Sequence, residues 1–180
     1  AGALVSMGAR VMVTDADAER LAAIDVPGAT LTPGLDAPPG AVDLVVTSPG
    51  WRPDSPLLRA AANRGIEVIG EVELAWRLGA ESARPPVWLA VTGTDGKTTT
   101  VGMLESILRA GGVDAIACGN VGLPVLDAVL AGHRVLAVEL SSFQLHWQSS
   151  LAPAVAVVLN VAADHLDWHG DLPSYADTKG

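Results

Sequence analysis

Lysine and cysteine are scarce in this chain of 180 residues, and long apolar runs are missing altogether. Cys118 is the one cysteine, which excludes an internal disulfide and a cysteine-based zinc site and suits a reducing, cytoplasmic setting. Eleven Lys plus Arg stand against 20 Asp plus Glu, a net charge of −9. With no basic cluster, a nucleic-acid surface is excluded, because phosphate neutralisation needs grouped cations. Of the cations only Lys97 and Lys179 are lysines. No apolar stretch approaches the ~18 residues of a membrane span, so a soluble chain is expected. What is plentiful is apolar material, 49% of the residues, enough for a buried core and too much for general disorder. There is no initiator Met, and Ala1-Gly2-Ala3-Leu4-Val5-Ser6-Met7 lacks the charged start of a signal peptide. It reads as the end of a helix, and the expectation is a chain cut from a longer one.

Gly8 reads as a helix stop, followed by a short strand, Val11-Met12-Val13, and a helix from Asp17 to Ile24 with Asp17 as its cap. Residues 26–40 hold four of the twelve prolines and are expected to be loop or short extended pieces. A buried strand at Val42–Thr47, a helix at Ser55–Asn63, a strand at Ile66–Ile69 and a helix at Glu71–Leu78 complete a first lobe ending near residue 80. Residues 81–86, with Pro85 and Pro86, read as a linker. The second lobe, 87–180, opens with the strand Val87–Val91. It continues with a helix after Gly96, a strand near Asp114–Ala117, a helix near Leu123–Leu130, and strands at Val135–Leu140 and Ala154–Leu159. Strands alternating with helices at this pace predict an α/β fold with a parallel sheet.

Between an apolar strand and a helix lies Thr92-Gly93-Thr94-Asp95-Gly96-Lys97-Thr98-Thr99-Thr100. Glycines there let several N–H groups turn toward one anion, and the helix adds its positive N-terminal end. In a phosphate loop Lys97 faces the β- and γ-phosphates and the Thr98 hydroxyl binds Mg²⁺. The general pattern puts a glycine five residues before the Gly-Lys pair, where this chain has Val91, so the loop is a shorter variant led by Gly93. An ordinary glycine turn competes with this reading, but strand, Gly-Lys-Thr and helix agree. ATP or GTP binding follows; the Asn-Lys-x-Asp base-reading motif of a GTPase is absent from these residues.

The strand Val135–Val138 delivers Glu139 at its C-terminal end, where ligands of open parallel sheets gather. Glu139 is therefore placed to face a nucleotide-bound metal. The last strand leads through Asn160 to Asp164-His165-Leu166-Asp167-Trp168-His169. His165, His169 and Asp167 could hold zinc if they shared a helical face, but Gly170 and Pro173 argue against such a helix. His165 alone, as a ligand to a hard metal or a phosphate, is the preferred reading. Lys179 taken by itself is a surface lysine, and Cys118 and the five tryptophans are packing residues.

The loop Gly93-Thr94-Asp95-Gly96-Lys97-Thr98-Thr99 resembles the ATP loop of the Mur ligases, which folylpolyglutamate synthetases share. Glu139-Leu140-Ser141-Ser142-Phe143-Gln144-Leu145 narrows the resemblance to the D-glutamate-adding branch. Gly119-Asn120-Val121-Gly122-Leu123-Pro124 and Asn160-Val161 ahead of Asp164-His165-Leu166-Asp167 match in the same order. Thr47-Ser48-Pro49-Gly50 and residues 65–74 resemble the family's first domain. The resemblance implies a truncated Rossmann-like UDP-binding lobe at 1–80, followed by the first part of a P-loop ATP-binding central domain.

It also implies a reaction in peptidoglycan synthesis. ATP phosphorylates the carboxylate of UDP-N-acetylmuramoyl-L-alanine, and the amine of D-glutamate attacks the acyl phosphate. By the same resemblance Gly93, Thr94, Asp95, Gly96, Lys97, Thr98 and Thr99 bind ATP. Thr98 and Glu139 hold one Mg²⁺, and His165 belongs to a second. Lys179 matches a lysine carried as a carbamate formed with CO₂, which turns a cation into an anion able to support that second metal. Asn120, Ser141 and Gln144 match contacts to the UDP-sugar, and Asp15 and Ser48 match positions near the uridine. The family's first strand and glycine-rich turn should precede Ala1, and the rest of its central domain and its C-terminal domain should follow Gly180. The 180 residues alone are expected to be a monomer without ligase activity. Another Mur ligase, a folylpolyglutamate synthetase or a nucleotide-dependent switch are the alternatives, and the switch has no need of His165 or Lys179.

Overall fold

All 180 residues are described in the computed structural model, and by contact they form two units. Ala1–Asp43 and Pro53–Glu67 make the first. Its α1 (Gly2–Ser6) closes at Gly8, whose φ of +85° only glycine adopts readily, as the expected helix stop requires. A two-residue strand, β1 (Met12–Val13), precedes α2 (Ala18–Ala22). Asp17 caps α2 by accepting the Glu19 and Arg20 amides at 3.0 Å each. The proline-rich segment then supplies a short extended piece, β2 (Thr30–Leu31), parallel to β1 with Met12 opposite Thr30. In α3 (Pro56–Asn63) a proline occupies the first turn, where its missing N–H costs nothing. Beyond the helix, Arg64 reaches back to the carbonyls of Pro38 and Gly40.

Leu44–Arg52 and Val68–Gly180 make the second unit. Here β3 (Leu44–Thr47) pairs with β4 (Glu67–Gly70), and α4 (Glu71–Glu81) follows directly. Residues 44–52 and α4 group with this unit because α4 buries Val72, Leu74 and Ala75 in it. Gly79 lets the helix approach so closely that an added Cβ would lie 3.4 Å from Pro86 and 3.5 Å from Val129.

The centre of the unit is a parallel sheet of β5 (Val87–Thr92), β6 (Ala115–Gly119), β7 (Val135–Glu139) and β8 (Val155–Val158), in the order β6-β7-β5-β8. Near-continuous apolar runs suit β5 and β7, which lie inside the sheet, whereas the edge strand β8 is apolar yet exposed along its length. Leu136, Ala137 and Val138 on β7 have no exposure at all, and a buried leucine of this kind contributes about 1.5–3 kcal/mol. Between the strands run α5 (Lys97–Ala110), α6 (Val125–Leu130) and α7 (Ser142–His146). Val101 of α5 packs on Val91 and Ala137, with Leu104, Ala117 and Leu159 around them. The register sets Val91 opposite both Glu139 and Val157, so the glycine loop after β5 and Glu139 leave the sheet at the same level.

One expectation is corrected. The segment around His165–His169 does form a helix, α8 (Leu166–His169), and α9 (Leu172–Asp177) follows. Gly170 ends α8 at φ +90°, while Pro173 sits in the first turn of α9, where Asp171 caps by accepting the Ser174 amide at 2.8 Å. The two breakers punctuate the segment without abolishing helix.

Candidate active site

Thr92 ends β5, and α5 starts at Lys97, with Gly96 as its N-cap in the left-handed region at φ +81°. A Cβ on Gly93 would lie 3.1 Å from the Leu159 Cβ and 3.3 Å from the backbone N and O of Asn160. Glycine is thus needed for close approach at one end of the loop and for a positive φ at the other. Lys97 curls back over the turn, its Nζ donating to the carbonyls of Gly93 at 3.0 Å and Thr94 at 2.8 Å.

Lys179 meets the same turn from the other side. Buried to 7% exposure just after α9, it donates to the Gly93 carbonyl at 3.0 Å and to the Thr92 hydroxyl at 3.3 Å. Its Nζ lies 4.8 Å from the centre of the Tyr175 ring. The expectation of a surface lysine from the residues alone was therefore wrong: the α9 helix turns the side chain inward. Burial, and next the positive charge of Lys97, bring its amine down to about 8, against a smaller opposing pull from Asp164.

Glu139, 3% exposed at the end of β7, accepts the Thr98 hydroxyl at 2.8 Å and the Asn120 side-chain amide at 2.9 Å. The Asn120 backbone N–H also binds the Glu139 carbonyl at 3.0 Å. This approach depends on Gly119, where a Cβ at φ +118° would meet the Glu139 carbonyl oxygen at 2.1 Å. Loop, carboxylate and carboxamide are therefore one cluster, as the strand-end reading of Glu139 requires.

His165 makes its contacts elsewhere. It is the one non-glycine residue with positive φ, at 52°, with its amide on the Asp164 carboxylate at 2.9 Å and its ring 4.7 Å from that of Phe143. Phe143 stands on α7, whose Ser142 hydroxyl lies 3.0 Å from His169 Nε2. Burial, then the neighbouring His146, His165 and Lys179, push the His169 imidazole below its ordinary value, against Asp167. His169 is held by Ser142 and the aromatic rings, and no three His, Cys, Asp or Glu side chains come together as a metal cage.

Ser141 and Gln144 form the capping box of α7. The Ser141 hydroxyl accepts the Gln144 amide at 3.2 Å, and Gln144 Oε1 accepts the Ser141 amide at 3.0 Å. Asp15 lies in the first unit and accepts the Asp17 amide at 2.9 Å. Ser48 is exposed after β3 in the second, where its carbonyl accepts the Trp51 amide at 3.2 Å.

Sequence reasoning left three hydrogen-bonded residues without a role, two at the loop and one away from it. Asn160 bonds the Thr94–Asp95 turn through its carboxamide, and its signal was its place just past a strand end. Tyr175, the one tyrosine, is 1% exposed with its hydroxyl 3.0 Å from that of Thr94. Glu73 is a carboxylate with no exposure, inside an otherwise apolar helix face. A pattern alone cannot distinguish such a group from a solvated one.

Comparison with known proteins adds the following. The family model of the Mur ligase middle domain matches residues 91–180. The UDP-N-acetylmuramoylalanine–D-glutamate ligase of Thermobifida fusca is 55% identical over 99% of the chain, and that of Nocardia farcinica 51% over 98%. The chain spans 40% and 38% of those two proteins' lengths. Among solved structures, the UDP-N-acetylmuramate-alanine ligase MurC of Thermotoga maritima matches with a TM-score of 0.51 at 22% identity, covering 98% of this chain and 41% of that one. At that identity the likeness speaks for the fold.

Proposed function

The chain belongs to the Mur ligase family, and from that membership we propose that it is the UDP-binding lobe and the first part of the ATP-binding domain of a cytoplasmic, monomeric, ADP-forming D-glutamate ligase. Its substrates are then ATP, UDP-N-acetylmuramoyl-L-alanine and D-glutamate. In this reading residues 1–80 serve the UDP group, 81–86 link, and 87–180 serve ATP. Asp15 and Ser48 lie toward the uridine, and Asn120, Ser141 and Gln144 toward the sugar.

The γ-phosphoryl group passes from ATP to a carboxylate oxygen of UDP-N-acetylmuramoyl-L-alanine, leaving ADP and an acyl phosphate. The D-glutamate amine then attacks the acyl carbon, and the amide forms as inorganic phosphate leaves. Two polyanions must be held together, so donors and cations matter more here than an acid–base pair. Lys97 and the loop from Gly93 to Thr99 face the phosphates at the α5 N-terminus. The Thr98 hydroxyl and Glu139 carboxylate, 2.8 Å apart, are the oxygen donors that magnesium prefers. Magnesium, when bound, would supply positive charge against the phosphates; Thr98 and Glu139 would hold one ion, and the family resemblance would give His165 and a Lys179 carbamate to a second.

The observation that carries this reading beyond nucleotide binding is the inward, low-affinity amine of Lys179 at the Gly93 carbonyl. A neutral amine is what adds to CO₂, losing a proton as the carbamate forms. Burial and the charge of Lys97 bring the Lys179 amine down to about 8, so the neutral form is far more accessible near neutral pH than for an ordinary lysine. The test is Lys179→Ala in the full-length protein, assayed for phosphate release dependent on both UDP-N-acetylmuramoyl-L-alanine and D-glutamate. Loss of turnover with ATP binding retained is expected. Undiminished ligation would refute the role of Lys179.

A further inference from the structure

We propose that Asn160 is a positioning residue for ATP: its carboxamide fixes the Thr94–Asp95 turn in the conformation that receives the phosphates. The inference rests on reading that loop as the ATP site. Asn160 follows β8, whose ladder runs on as the Leu159 amide donates to the Thr92 carbonyl at 2.9 Å. Its Oδ1 accepts the amides of Thr94 at 3.1 Å and Asp95 at 2.9 Å, and its Nδ2 donates to the Asp95 carbonyl at 3.1 Å. The Asn160 backbone carbonyl takes a further share of the Thr94 amide at 3.1 Å. One residue thus binds both polar backbone groups of Asp95 and the amide before it.

Only one orientation of the carboxamide does this, since a flipped group would set its NH₂ against two N–H donors. An aspartate keeps the acceptor but loses the donor, and it adds a negative charge beside a polyanion site. An alanine loses all three side-chain bonds. The surroundings fix the turn from its other side: the Ala162 amide donates to the Thr94 hydroxyl at 2.9 Å, and the Tyr175 hydroxyl lies 3.0 Å from it. Gly93 is pressed against the Asn160 backbone, so the strand that bears Asn160 cannot shift without moving the loop.

Two positive-φ glycines, Gly93 and Gly96, bracket the turn and would leave it mobile. A mobile loop must be ordered when phosphate binds, and that cost appears as lost affinity. Asn160 removes the cost beforehand without touching the sheet core. It is exposed, so its replacement opens no cavity in the core.

The test uses Asn160→Ala and Asn160→Asp in the full-length protein, with amide hydrogen exchange, ATP titration and steady-state kinetics. In Asn160→Ala, exchange at Thr94 and Asp95 should rise about tenfold or more while the β5 and β7 amides keep their protection. The Kd and KM for ATP should rise about tenfold, with the KM for UDP-N-acetylmuramoyl-L-alanine unchanged. Asn160→Asp should keep the Thr94 and Asp95 protection and still bind ATP more weakly. Unchanged exchange at those amides in Asn160→Ala overturns the proposal, whatever the loop binds. Raised exchange with wild-type ATP affinity overturns it as well. A wild-type protein that binds no ATP, yet loses that protection in Asn160→Ala, would count against the ATP reading and leave the local geometry standing.

Discussion

Glu73 offers the most quantitative test of how the second unit is held together. It has no solvent exposure, and its carboxylate is saturated with donors. Oε1 accepts Arg77 Nε at 2.8 Å, the Ser150 hydroxyl at 2.7 Å and the Ser149 hydroxyl at 3.3 Å; Oε2 accepts the Ser149 and Ser150 amides at 3.0 and 3.1 Å. Burial by itself would raise its pKa, but the bonds from Ser150, Ser149 and Arg77 outweigh it and bring the group from 4.5 to about 2. At ~1.36 kcal/mol per pH unit, that difference corresponds to about 3 kcal/mol. Because the folded pKa is depressed, this stability is fully present above about pH 4.5 and is lost as the pH falls toward about 2. Urea unfolding followed by tryptophan fluorescence, repeated between about pH 2 and 6, measures it. Wild type should gain stability over Glu73→Gln as the pH rises through that window, and the difference should level off above it. Glu73→Ala should cost about 3–5 kcal/mol at pH 7, since it strands buried donors. If Glu73→Gln shows the wild-type pH dependence between pH 3 and 5, the network is not what holds the Ser149–Ser150 turn to α4. The turn follows α7, so its loosening should also disturb the packing of Phe143 against His165.

Gly119→Ala should unfold the protein or, where it folds, abolish ATP-dependent turnover, because the new Cβ overlaps the Glu139 carbonyl oxygen and β6 and β7 must part; circular dichroism and a phosphate-release assay read both results. Ser141→Ala should lower stability by about 1 kcal/mol in urea unfolding, the usual worth of a helix N-cap, and this loss identifies the capping role separately from any effect on the KM for UDP-sugar. Leu136→Ala, at a site with no exposure, should cost about 2–5 kcal/mol in the same assay. If Lys179 acts as a carbamate, removal of CO₂ should lower turnover. At a fixed CO₂ pressure the loss should be recovered as the pH rises through about 8, where the amine becomes neutral; turnover indifferent to CO₂ would contradict the carbamate.

The parallel sheet was legible because its strands are nearly unbroken apolar runs and because glycine, lysine and threonine stand where a phosphate loop needs them. Glu139 was legible for a related reason: a carboxylate ending such a run emerges where the loop opens. Short elements set by a single cap were not. A four-residue helix such as α8 has too few residues for periodicity to appear, and Gly170 and Pro173 look like breakers until their places are known. The grouping of α4 with the second unit was hidden too, since its apolar face names no partner. Ser141 and Gln144 show the reverse difficulty, with a capping pattern and a family motif occupying the same two residues.

The two lysines bring these lines together. Lys97 was identifiable from loop chemistry, whereas the residues around Lys179 say nothing about where its side chain points. That direction comes from α9, through the Asp171 cap, Tyr175 packed at 1% exposure and a chain that turns back onto the loop. Both ammonium groups then donate to the one carbonyl of Gly93, at 3.0 Å each. Two like charges on one oxygen oppose each other, and burial together with the charge of Lys97 depresses the Lys179 amine. If Lys179 carried the proposed carbamate, attraction to Lys97 would replace that repulsion. On the proposed reading the loop joins a lysine that would face phosphate with one whose charge would invert, a pairing that a simple nucleotide switch would not need.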